Sequence, residues 1–196
     1  METWRIFAYV TIGCWSVFML VWAAMARGAK RSVREEKRSE RRAYSLPTAF
    51  GMILIAISTP QVWGGENLLT TLVLPLGLAF AAAGAAAAMA GLALAIWARV
   101  TLGRDWSVNV TLKEGHELVT GGPYALIRHP IYTAVILLVI GLFLLFETLG
   151  GVLGVGLVVL GCWIKLRQEE VLMIGQFPES YPAYMARTKR LIPFVV

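Results

Sequence analysis

The chain has 196 residues, 58% of them hydrophobic and 15% charged, with a mean hydropathy of +0.68, which excludes an ordinary water-soluble domain and points to a protein solvated by lipid. The formal charge of +6 falls between apolar runs rather than along a soluble basic stripe, so it reads as membrane topology and not as a nucleic-acid surface. Cys14 and Cys162 sit inside apolar runs and His116 is far from His129, so neither a disulfide framework nor a metal site is expected.

The first apolar segment, residues 4–26, is of spanning length and is followed, not preceded, by the strong basic cluster; an uncleaved first span is expected rather than a signal peptide. Arg27 to Arg42 then carries eight basic residues against Glu35, Glu36 and Glu40, which reads as a solvated helical turn anchoring topology. A second apolar segment covers 45–63 and a third 69–98. Ala81 to Ala90 gives the third segment small surfaces for close helix contact, although Pro75, Gly77, Gly84 and Gly91 interrupt it.

The fourth and fifth segments, 131–147 and 150–166, are short and meet at Glu147 to Gly150, the pattern of a helical hairpin. The expected fold is therefore an all-α integral membrane protein of five transmembrane helices, the last two a hairpin, with a cytoplasmic polar region on which a site could be built. Residues 1–98 would supply three spans, and residues 99–196 a core with hairpin and tail. Lys and Arg crowd the 27–42 loop, the 99–130 loop and the tail, whereas 64–68 and 147–150 have none. The positive-inside rule then sets those three segments in the cytoplasm and the N-terminus outside, as in a multi-pass protein of the cell membrane. No internal repeat or mid-span charge supports a transporter.

Two polar pieces bracket the last hairpin. In Gly122-Pro123-Tyr124-Ala125-Leu126-Ile127-Arg128-His129-Pro130-Ile131-Tyr132, Pro130 suits a first helical turn and His129 an N-cap, so the helix end and Arg128 together favour an anion. The same residues also fit a snorkelling arginine and a plain cap. In Arg167-Gln168-Glu169-Glu170, Glu170 shares a helix face with Leu166, Met173, Ile174 and Phe177 and is the more buried carboxylate. It then needs donors from ribose hydroxyls or an ammonium group, or else both acids merely balance Lys165, Arg167 and Arg187.

These pieces, with Phe177-Pro178-Glu179-Ser180-Tyr181-Pro182-Ala183-Tyr184 and Arg190-Leu191-Ile192-Pro193 after them, resemble the isoprenylcysteine carboxyl methyltransferase family, a relative of the membrane phospholipid methyltransferases. The resemblance covers 99–196 and implies an integral membrane enzyme using S-adenosylmethionine on a lipophilic acceptor from the bilayer. It implies cofactor contacts from His116, Leu118, Val119, Tyr124, His129, Pro130, Tyr132, Glu169 and Glu170. Arg128 and Arg190 would meet anionic groups of cofactor or substrate, and Arg128, Glu170 and His129 would be the catalytic residues. Methyl transfer needs alignment and desolvation more than a metal. A carboxylate acceptor needs a holding cation, for which Arg128 is first choice; an amine or thiol needs a base, His129 or a Glu. Ala134 and Pro178 replace glycines of the family pattern, which leaves acceptor identity open among an isoprenylcysteine-like carboxylate, a phospholipid amine and a small thiol. The non-enzymatic alternative is a small membrane scaffold or carrier, while a nicotinamide reductase lacks support without a G-x-G-x-x-G motif.

Overall fold

The computed structural model describes residues 2–26, 32–58, 67–74, 77–103, 106, 109–113 and 117–193. Long helices form where the sequence is apolar: α1 (Glu2–Ala26), α2 (Arg38–Ile57), α3 (Leu78–Leu102), α4 (Pro130–Phe146) and α5 (Leu149–Gln176), followed by a short α6 (Ser180–Arg187). Among the described residues, α1, α3 and α5 are long and apolar enough to cross a membrane. Helix α4 is apolar but has only 17 residues, about 25 Å at 1.5 Å per residue.

Several boundaries differ from expectation for identifiable reasons. Helix α3 starts at Leu78 rather than near 69, because Pro75 and Gly77 break the run; Gly77 is its extended N-cap, and Leu68–Thr70 is a separate 3-10 turn capped by Asn67. Helix α5 continues to Gln176, ten residues past the apolar run, since Leu166 to Gln176 holds no glycine or proline before Gly175. The basic segment is not wholly a helical turn. Ser32–Glu35 forms β1, paired antiparallel with β2 (Thr111–Lys113), a two-stranded ribbon among the described residues.

The core is organised around α4. On one side Ala134 and Leu138 pack with Cys14 and Phe18 of α1 and Ala88 and Ala95 of α3; on the other, Val139 packs with Ile55 of α2 and Val158 and Cys162 of α5. Both cysteines therefore serve as buried apolar side chains. The backbones approach closely at glycine: a Cβ on Gly84 would lie 2.8 Å from the carbonyl oxygen of Gly141, and one on Gly91 would lie 2.8 Å from that of Ala134. Trp15 adds a polar tie, its indole N–H donating to the Leu138 carbonyl at 3.2 Å. At one end of the bundle, Glu147 takes a left-handed conformation with φ 56° between α4 and α5, and the Thr148 hydroxyl accepts from the Gly151 N–H to cap α5. The opposite end carries the polar pieces. Its geometry is fixed because α4 is held on both flanks.

A cavity walled by the α4 start, the α5 end and the tail

Pro130 occupies the first turn of α4 and His129 is its N-cap, as the spacing predicts. Just upstream, Gly122 adopts φ 57°, a conformation a side chain would strain, and a Cβ there would lie 2.9 Å from the Thr101 hydroxyl and 3.3 Å from Trp97 Nε1; the 3-10 turn Gly122–Ala125 buries Pro123 and Tyr124. The tail is sewn to this wall by backbone pairing. Arg128 N–H donates to the Lys189 carbonyl at 2.8 Å, His129 N–H to that of Arg190 at 3.0 Å, and Ile127 bridges Lys189 in parallel. The Thr133 hydroxyl donates to the Leu191 carbonyl at 2.7 Å and the Tyr184 hydroxyl to the Tyr124 carbonyl at 2.6 Å.

A buried charge cluster links wall, tail and α5. Glu170 is 4% exposed, as its apolar helix face implies. Its two oxygens accept from Arg128 Nε and Arg190 Nε, each at 2.9 Å. Arg128 also donates through Nη1 to the carbonyls of Thr188 and Met185. Glu169 behaves differently from its neighbour: its side chain is 28% exposed and accepts from the Tyr132 hydroxyl.

His129 lies between these acids, with Nδ1 3.6 Å from Glu169 and Nε2 3.5 Å from Glu170, and stacks on Tyr132 with ring centroids 5.6 Å apart. Burial works against a charged ring here, but the two carboxylates outweigh it and hold the His129 pKa above its ordinary value. His129 Nε2 is buried without a hydrogen-bond partner among the described residues. Burial likewise raises the tail hydroxyls, Tyr184 to about 12, so they remain protonated donors near neutrality.

Because its folded pKa is raised, His129 stabilises the fold fully below its unfolded value of about 6.5, and that contribution is lost as pH rises through the folded value. The melting temperature of the detergent-solubilised protein is therefore expected to fall as pH rises from about 6.5, and His129→Gln to flatten that slope. An unchanged slope in the variant would remove His129 as its source.

A cavity of about 270 Å³ opens against this wall, just below the range of about 300–1,000 Å³ usual for small-molecule sites. Leu118, Val119, Tyr124, Arg128, His129, Pro130, Tyr132 and Glu169 all line it, so most of the site residues expected from sequence come together. Glu170 and Arg190 stand outside the lining, where they fix Arg128 and the tail. His116 lies outside the described residues.

Among the lining residues not singled out from sequence are Trp22, Trp106 and Lys165. Trp22 stacks on Phe18 at 4.3 Å and meets Trp106 edge to face at 5.8 Å. Arg99, expected as a loop charge, is instead fully buried in the last turn of α3. Its guanidinium lies 4.4 Å above the Trp106 ring and donates to the carbonyls of Met25 and Gly103, so it fixes that aromatic wall. An aromatic near a helix end gives no signal beyond an interface anchor. Lys165 was detectable in principle, as a charge one turn inside a continuing helix.

Residues 84–175 match the model of the isoprenylcysteine carboxyl methyltransferase (ICMT) family. Among curated proteins, the chain is 31% identical over 116 residues to the nickel-cobalt-cadmium resistance protein NccN of Alcaligenes xylosoxydans xylosoxydans, covering 58% of this chain and 51% of that one. It is 32% identical over 108 residues to the cobalt-zinc-cadmium resistance protein CzcN of Cupriavidus metallidurans, covering 54% and 47%. The chain thus spans about half the length of these relatives. Among the described residues no three of His, Cys, Asp and Glu gather as a metal site.

Proposed function

Because residues 84–175 match the model of the isoprenylcysteine carboxyl methyltransferase family, we propose that the chain is a membrane methyltransferase that uses S-adenosylmethionine to methylate the carboxylate of a lipophilic, isoprenylcysteine-like acceptor. The observation that carries this reading is the meeting of His129, Tyr132 and Glu169 in one cavity beneath a docked tail.

The residues present fit such a cofactor. The orphaned Nε2 of His129 has a hydrogen bond to make, and Glu169 offers a half-open carboxylate, oriented by Tyr132, to an ammonium or to hydroxyls. Leu118, Val119, Tyr124 and Pro130 supply the wall around it, with His116 as a further contact from the resemblance. Arg128 turns toward an anionic group of cofactor or acceptor, and Arg190 supports it through Glu170. When bound, the cofactor supplies a methyl group already activated on a sulfonium. The protein's part is then to align the acceptor and exclude water, and a carboxylate acceptor needs no base at neutral pH.

In this reading all five long helices cross the bilayer, α4 and α5 as a hairpin, and the bilayer thins around the short α4. The cavity lies at the cytoplasmic face and the N-terminus outside, following the basic residues at the cavity end of the bundle. Residues 1–98 serve as the membrane scaffold of the 99–196 core.

Calorimetry on the protein in detergent and in lipid is expected to show saturable binding of S-adenosylmethionine and of its demethylated product. Label from the methyl group should then enter a lipophilic product of membrane extracts as an ester that alkali releases. Absence of binding would leave a scaffold or carrier. An alkali-stable product would move the acceptor to a phospholipid amine or a thiol.

A further inference from the structure

The end of the bundle opposite the cavity carries a buried acid that methyl transfer does not use. Glu147, between α4 and α5, is 1% exposed and holds the left-handed conformation, with φ 56°, that residues other than glycine rarely adopt. Backbone pairing fixes it there. Its N–H donates to the Phe143 carbonyl at 2.6 Å, its carbonyl accepts from the Val73 N–H at 2.9 Å, and the Leu149 N–H donates to the Thr71 carbonyl at 2.8 Å. Leu72 and Thr148 form an antiparallel bridge between these bonds, and the Thr148 hydroxyl donates to that of Ser58 at 3.0 Å, both residues being buried. Residues 71–73 are thereby clasped onto the hairpin turn.

The carboxyl is the part of this clasp that lacks a charge partner. Its Oε2 is buried and makes no hydrogen bond among the described residues, while the backbone of Gly77, the N-cap of α3, favours its ionised form. The elements packed around it bring no cation. The 67–74 segment, the α2 end, the α3 start and the α5 start have no charged side chain among the described residues. Trp4 and Phe7 of α1 pack with Leu145 and Phe146, but neither Glu2 nor Arg5 beside them interacts with Glu147. In sequence, the connections at this end hold no Lys or Arg, and Glu66 is their other acid. Burying an ionised carboxylate without a cation costs more than burying the neutral acid. Burial accordingly pushes the Glu147 carboxyl above its ordinary value, outweighing the opposing pull of Gly77.

We infer that Glu147 is the proton-operated catch of this clasp: the neutral acid holds residues 71–73 on the hairpin turn, and ionisation releases them and lets water reach the carboxylate. A carboxyl raised in the folded state contributes fully below its unfolded value of about 4.3, and that contribution is lost as pH rises from there through the folded value. The compartment whose pH it senses rests on the topology proposed above, whereas the catch itself does not.

The test is hydrogen exchange of the full chain in detergent from about pH 4.5 to about pH 8.5, read by mass spectrometry on peptides covering 67–74 and 147–150 and corrected for the intrinsic pH dependence of exchange. Protection of these peptides is expected to fall by about tenfold across that range in the wild type. Glu147→Gln, neutral at every pH, should keep its protection throughout. Glu66→Gln and His129→Gln should both retain the wild-type fall, which separates the catch from the neighbouring acid and from the cavity end. Where Glu147→Gln does not insert, the uncharged Glu147→Met takes its place. A flat wild-type profile, a fall that persists in the neutral Glu147 variant, or its loss in Glu66→Gln or His129→Gln overturns the inference. None of these outcomes depends on methyl transfer.

Discussion

Glu170→Ala is expected to be the most damaging single change in the chain, lowering stability by about 3–5 kcal/mol and abolishing methyl transfer. The carboxylate is 4% exposed and is the shared partner of Arg128 and Arg190, so its removal leaves the guanidinium groups of the α4 start and of the tail without the anion between them. Coulomb repulsion then replaces two short charge-assisted hydrogen bonds. Arg128 would still reach the Thr188 and Met185 carbonyls, which keeps part of the tail in place and makes insertion into the membrane independent of the loss. Glu170→Gln keeps the shape and one acceptor oxygen, so it should fall between wild type and alanine. The measurements are the melting temperature in detergent, protease sensitivity of the segment after Gln176, and methyl transfer. A Glu170→Ala protein that melts like wild type with its tail protected would show that the cluster does not hold the tail.

How much of this was legible follows from where the physics is local. Pro130 and His129 at a helix start, and the burial of Glu170 on the face of Leu166 and Met173, are consequences of spacing within one helix, and the structure has both. The ribbon was not legible, because β1 needs a partner nearly eighty residues away and its own four residues carry no alternation of apolar and polar side chains. The roles of the two arginines were half legible. Sequence gave their charge and their nearness to the acids, but not that Glu170 would be consumed by them and so leave Glu169 facing the cavity. Trp22 and Trp106 belong to the same class of loss. They reach the site only because Arg99, a residue that looked like a loop charge, is buried between the ends of α1 and α3.

The division between the two neighbouring acids leads to a second large effect of opposite character. Under the proposed function, Glu169→Gln is expected to leave the fold intact and to weaken S-adenosylmethionine binding by about tenfold to a hundredfold, the scale of one charged hydrogen bond of about 1.5–3 kcal/mol. Adjacent residues on a helix point about 100° apart. Glu170 therefore turns into the seam with the tail, and Glu169 turns toward Tyr132 and the cavity. Its protein partners include the Tyr132 hydroxyl and the His129 ring, so a neutral amide can still accept from Tyr132, and at a pH where His129 is neutral the melting temperature should barely move. What the amide lacks is the negative charge that a cationic ligand needs. Cofactor affinity by calorimetry and the melting curve together separate the cases: a variant that binds like wild type would remove Glu169 from the cofactor site, and one that unfolds like Glu170→Ala would make it a second structural acid.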